Sequence, residues 1–296
     1  MSGTDVEPGA LQAVAAASGH AFEQAIVHIA AEIKAADGNY EPLMNTLLDE
    51  GPYAYTLIPE IHPDGSVKLP ILTTREQIAE AYSMIRGASD LLEVIGLTEI
   101  RGSWYLFQDS ISVGRRKGEQ QSSDNNTLGL FPSGAGTGIT GELVWFYPRS
   151  MLGAGEETYV NEGDPVAARR NVYERYSRYL EALRAQDVDG ILDDLHDGVA
   201  SAVRDYVNDT GTLTQLEGKD AHRAHYDAFF GKYQVQSVQD LVHHADERYV
   251  FAELRMTVAP TGGGATLTYH TAEYYIPSKD GRFIARIGHG TEQTNG

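Results

Sequence analysis

The sequence contains no cysteine. That absence excludes disulfides, thiol nucleophiles and thiolate-bound zinc. Basic residues are also scarce: 23 Lys and Arg stand against 42 Asp and Glu, a formal charge of −19. Such a surface repels phosphate backbones, and the short basic run Arg115-Arg116-Lys117 is too small to reverse it, so nucleic acid is not an expected partner. No stretch approaches the roughly 18 apolar residues of a membrane span. The first nineteen residues are Ala-rich but have neither a basic start nor a Leu-rich block; they read as a flexible, frayed terminus rather than a signal peptide. A cytoplasmic protein is the resulting expectation. Gly262-Gly263-Gly264 lacks a following helix and Lys-Ser/Thr, so it is no phosphate loop, and neither a nucleophile elbow nor a dinucleotide fingerprint occurs.

What is present points to two domains. The length of 296 residues is about twice a typical domain, and 42% hydrophobic with 22% charged residues is enough for each half to bury a core. Apolar residues recur at helical spacing from His20 to Ala36 (Phe22, Ile26, Ile29, Ile33) and again from Val166 to Gln186 (Val172, Tyr176, Tyr179, Leu183). Each long helix leads to a short one, Pro42 to Leu48 and Val188 to Leu195, then a strand, Tyr53 to Ile58 and Val199 to Val207, then a third helix, Thr74 to Arg86 and Lys219 to Phe230. The third helices align without a gap around Tyr82 and Tyr226, which makes an internal duplication the better reading of this ordered agreement. Alternating strands follow: 91–100, 104–113 and 141–147 in the first half, and 235–243, 249–258, 267–276 and 283–289 in the second. Residues 117–126, 133–138 and 262–264 read as hairpin loops. Helices first and an antiparallel meander afterwards describe an α+β fold. The expected organisation is a terminus over 1–19, a domain over 20–152, a linker over 153–164 and a second domain over 165–292.

The run Arg178-Tyr179-Leu180-Glu181-Ala182-Leu183-Arg184-Ala185-Gln186-Asp187-Val188-Asp189-Gly190-Ile191 resembles the opening of ketosteroid isomerases and the wider SnoaL-like group. These belong to the nuclear-transport-factor-2-like superfamily, whose three helices and curved sheet form a cone around an apolar pocket. The resemblance implies two fused cones, a small hydrophobic ring-containing ligand, no cofactor and no metal, and a homodimer. It also implies that Tyr179 donates to a developing enolate oxygen and that Asp205 is the nearest match to the proton-shuttling aspartate. The family's second donor, a protonated aspartate, falls at Ala272, so His270 or Glu273 replaces it or the reaction differs. In the first half Ile29 takes the position of Tyr179 and no aspartate lies on the first strand, so that domain reads as a scaffold, a dimer-like partner for the second domain, or a lid over its pocket.

A carboxylate beside apolar walls is a usable proton shuttle, and a phenol or imidazole opposite can stabilise the charge that develops. Tyr179, Asp205, His270 and Glu273 are the catalytic candidates; Tyr176, Tyr206, Tyr226, His225 and Tyr274 are candidates to line the pocket. His270 and Glu273 lie three apart on a strand and therefore face opposite sides; His270 is expected inside. His222 and His225 share a helix side, but spacing fixes no third ligand, so a metal is not expected. The expected reaction is a lyase-type cleavage or elimination on a phenolic compound, such as a lignin-derived diaryl. The alternatives are a steroid-like double-bond isomerase or hydratase, or a non-catalytic binding module.

Overall fold

The computed structural model describes residues 8–35, 39–62, 66–134, 136–148, 164–205, 207, 213–291 and 294–295. The chain divides into two compact units, Met1–Leu57 with Leu72–Ser150, and Ile58–Ile71 with Met151–Gly296. Most of the sequence expected to link them, 153–164, lies outside the described residues. Among the described residues no helix is long and apolar enough to cross a membrane.

The elements of the first half are α1 (Pro8–Lys34), α2 (Glu41–Met44), β1 (Ala54–Thr56), the small pair β2 (Glu60–Ile61) and β3 (Val67–Lys68), α3 (Arg75–Ala88), β4 (Ser89–Arg101), β5 (Tyr105–Arg116), β6 (Ser123–Pro132) and β7 (Gly141–Pro148). α1 buries Ala21, Ala25, His28 and Ile29 along one stripe. The stretch read as a frayed terminus is helical from Pro8 onward. α3 starts in a capping box: Thr74 Oγ1 accepts from the Gln77 amide while the Gln77 side chain accepts from the Thr74 amide. The sheet runs β1-β7-β6-β5-β4, with β1 parallel to β7 and the other pairs antiparallel. β6 was not expected, because its first half, Ser123 to Asn126, has little strand propensity and reads as a loop. Neighbours on both sides supply its backbone hydrogen bonds and override that propensity.

The second half contains α4 (Pro165–Ala185), α5 (Val188–Asp193), β8 (Leu195–Arg204), β9 (Leu213–Glu217), α6 (Gly218–Lys232), β10 (Tyr233–Ala245), β11 (Val250–Pro260), β12 (Leu267–Pro277), β13 (Phe283–Gly290) and β14 (Thr294–Asn295). Asp164 caps α4 by accepting from the Val166 amide, with Pro165 at the first helical position where no N–H is needed. Asp187 then caps α5 through the Gly190 amide. The sheet order is β10-β11-β12-β13-β8-β9, and β8 is parallel to β13. Three helices and an opening strand parallel to the last long strand therefore occur in both units, which is the topology expected of a repeat. Bulges in β10 at Val235/Ser237 and Asp240/Val242, and in β4 at Leu91/Glu93 and Gly96/Thr98, bend each sheet. Residues 58–71 leave the first unit and count with the second, where the Gln215 amide donates to the Leu69 carbonyl.

Candidate active site

Alternation along β12 decides what the second unit encloses. Tyr269, Thr271 and Glu273 line its cavity, whereas His270 faces the opposite side and pairs at 3.2 Å with Glu253 of the neighbouring strand. The expected choice between His270 and Glu273 is thus reversed. Only 1% of Glu273 is exposed, and a carboxylate so buried persists only when paired. Its partner rises from β13: Arg286 Nε lies 2.6 Å from Oε2 and Nη2 lies 2.8 Å from Oε1, a bidentate fork. The Tyr275 hydroxyl adds a third bond, 2.8 Å to Oε2. Burial pushes the Glu273 carboxyl upward, but the Arg286 charge and these bonds hold it below its ordinary range. Glu273 therefore anchors Arg286 and is no proton shuttle. Gly288, its neighbour across the strands, makes room: a Cβ there would lie 2.7 Å from Glu273 Cγ.

Arg286 then reaches a helix. Its Nη1 donates to the Tyr226 hydroxyl at 3.0 Å, and that oxygen lies 2.7 Å from the Tyr179 hydroxyl. Burial pushes the Tyr179 phenol well above its ordinary range, so it stays neutral and hydrogen-bonding. Tyr179, on α4, is completely buried and lies behind Tyr226, which lines the cavity.

Two adjoining hollows share Asp205, His225, Met256, Tyr269, Glu273 and Arg286 and make one cavity. Asp205 follows the end of β8, and its Oδ1 accepts from the Val207 amide at 2.7 Å. That turn fixes one carboxylate oxygen. His225, on α6, has its pKa lowered by burial and by Arg286, partly offset by Asp205, which favours the neutral imidazole. The cavity thus joins a proton acceptor, a carboxylate that stabilises its charged form, a phenol backed by a guanidinium, and apolar walls from Met256, Leu254 and Phe229.

Residues 176–285 match the SnoaL-like domain family. The second unit carries a SnoaL-like domain. Similar solved structures include an LEH-like epoxide hydrolase of Mycobacterium tuberculosis, 16% identical over 44% of this chain and 86% of that chain, with a TM-score of 0.34. A computationally designed 17-OHP binder is 18% identical over 43% and 98%, at 0.37. An NTF2-like protein of unknown function from Burkholderia pseudomallei is 15% identical over 41% and 91%, at 0.35. No curated protein sequence matches this chain.

Of the residues expected at the site, the SnoaL-like unit brings Asp205, His225, Tyr226 and Glu273 onto the cavity. Tyr179 contacts it through Tyr226. Tyr176 is buried at 5.7 Å from the Tyr275 ring, in the core rather than on the cavity wall. Tyr274 is buried on the sheet face opposite to Glu273, away from this cavity, by the same parity that moves His270 outward. Tyr206 lies outside the described residues. Arg286 was missed, although an Arg inside Phe283-Ile284-Ala285-Arg286-Ile287 must find a carboxylate if that strand is buried, and Glu273 sits just as conspicuously in the strand before it. Ser201, Met256 and Tyr269 gave no such signal. Among the described residues no group of three or more His, Asp or Glu is placed to hold a metal.

The first unit is not apolar inside. His28 lies 2.6 Å from Thr46 Oγ1 and 3.3 Å from Glu142, and Glu142 also accepts from the Tyr82 hydroxyl. Glu32 pairs with Arg86 at 2.7 Å. The first half lacks counterparts of Tyr179 and Asp205, yet it buries its own polar cluster of His28, Glu142 and Arg86.

Proposed function

We propose that the SnoaL-like unit is a cofactor-independent acid–base enzyme acting on a small ring-containing ketone or phenol. The observation that carries this reading is the pair of hydrogen bonds that Arg286 and Tyr179 make with the Tyr226 hydroxyl, on the cavity that Asp205 and His225 also line. A phenol has one proton and two acceptor positions. With Arg286 and Tyr179 both donating to the Tyr226 oxygen, the Tyr226 proton is directed at the ligand. His225 takes a proton from the carbon beside the ligand carbonyl, Asp205 stabilises the imidazolium, and the electron pair moves onto the oxygen held by Tyr226. From that enolate, return of the proton at another carbon gives isomerisation, and loss of a neighbouring leaving group gives elimination. Lyase-type cleavage of a phenolic compound, a lignin-derived diaryl among them, uses the same steps with the ring as electron sink. Cytoplasmic residence and pairing as a homodimer belong to the same proposal.

The test is turnover on β,γ-unsaturated ketones, followed by the ultraviolet absorbance of the conjugated product, alongside phenolic substrates bearing a β leaving group, followed by product release. His225→Gln should remove activity by roughly 10²- to 10⁴-fold, the range of general acid–base catalysis. Asp205→Asn should move the acidic limb of kcat/KM to lower pH. Binding of both ligand types without turnover in the wild type would favour the binding-module reading.

A further inference from the structure

Ser201 and His222 form a second constellation on the same cavity, and the proton-transfer reading leaves it unused. Ser201 lies on β8 and lines the cavity wall. Its Oγ is 2.6 Å from His222 Nε2, and His222 Nδ1 is 2.7 Å from the carbonyl oxygen of Gly218, where α6 begins. A carbonyl can only accept, so Nδ1 carries the ring proton and Nε2 presents its lone pair to the serine hydroxyl. The backbone therefore selects the tautomer that a general base requires, as a carboxylate does in a hydrolytic triad. Both residues are 1% exposed, and His222 lies behind Ser201 rather than on the cavity wall. Arg286 is the cross-strand neighbour of Ser201 on β13, so its side chain leaves the sheet from the same face beside the hydroxyl. Its guanidinium keeps N–H groups beyond the three bonds to Glu273 and Tyr226.

We propose that Ser201 is a nucleophile of this cavity, with His222 as its general base and Arg286 as the stabiliser of the oxyanion, and that it acts on small activated esters. Ser201 Oγ bonds to the ester carbonyl carbon while its proton passes to His222 Nε2, and the carbonyl electron pair moves onto the oxygen beside Arg286. Collapse of that adduct breaks the ester C–O bond, and the departing phenol or alcohol takes the proton from His222. Water then cleaves the acyl-serine by the same route, so the net change is ester plus water to acid plus alcohol. Burial lowers His222 to about 4, which makes it a weak base and confines the reaction to good leaving groups. The groups whose charge reaches it are Arg286 from β13 and His225 from its own helix.

Incubation of the wild-type chain with diisopropyl fluorophosphate, followed by intact mass and peptide mapping, tests this without any variant. One adduct on Ser201 is expected, forming at a rate that is constant between pH 5.5 and 8. Ser201→Ala should give none, and His222→Gln should slow labelling at least about tenfold. The proposal is overturned if the wild-type chain takes no label, or if the label maps to a tyrosine or to another serine. The acid–base reading is judged by turnover of ketones and phenols, for which no serine is needed, so each can fail while the other stands.

Discussion

At the residue scale, the Glu273–Arg286 fork is the feature on which the site depends. Removing one partner leaves the other charge buried and uncompensated, a loss of about 3–5 kcal/mol where such pairs have been broken. Glu273→Leu should therefore lower the urea midpoint sharply, while the double change Glu273→Leu with Arg286→Met should recover much of the loss. A double variant as unstable as the sum of its parts would show that the two side chains act separately. Titration provides another test in the first unit. Burial, reinforced by Glu142, raises Glu32 from 4.5 to about 7 despite Arg86. The folded state then binds the proton more tightly than the unfolded chain, so this contribution is full below pH 4.5 and fades as pH rises through 7. The stability of the wild type relative to Glu32→Gln should accordingly fall between pH 5 and 7.5, measured by urea unfolding. His289 has the opposite sign: burial and Arg204 lower it to about 3, so its contribution is present above pH 6.5 and is lost on acidification.

At the element scale, the close packing of β12 on β13 has its own signature. Gly288→Ala places a methyl group 2.7 Å from Glu273 Cγ, and that side chain cannot move without opening the fork to Arg286. The expected result is a loss of roughly 1–3 kcal/mol, as for other overpacked interiors, together with weaker ligand binding. Unchanged thermal unfolding would argue against a tightly held pair. The helices and most strands were legible in the sequence because caps such as Thr74 and Asp187, and apolar periodicity, act locally. β6 was not, because Asp124, Asn125 and Asn126 gain their strand conformation from neighbours rather than from propensity. The face of β12 was not legible either. Both of its faces are buried, so alternation of polarity carries no sign, and His270 and Glu273 could be told apart only through the partner each finds on the next strand.

At the scale of the whole molecule, the two units share an order of elements but not a charge. In each, the tyrosine of the third helix bonds a residue on the last long strand; Tyr82 meets Glu142, whereas Tyr226 meets Arg286. An oxyanion is favoured beside the guanidinium and repelled beside the carboxylate. The central claim, that Tyr226 with Arg286 behind it holds a developing oxyanion in the SnoaL-like unit alone, is tested most directly by titrating the chain with 2-naphthol and following its fluorescence. The account predicts one site per chain, with affinity reduced about two- to tenfold by Tyr226→Phe, the effect of losing a hydrogen bond between neutral groups. Binding at two equivalent sites per chain, or binding that Tyr226→Phe leaves unchanged, would contradict it.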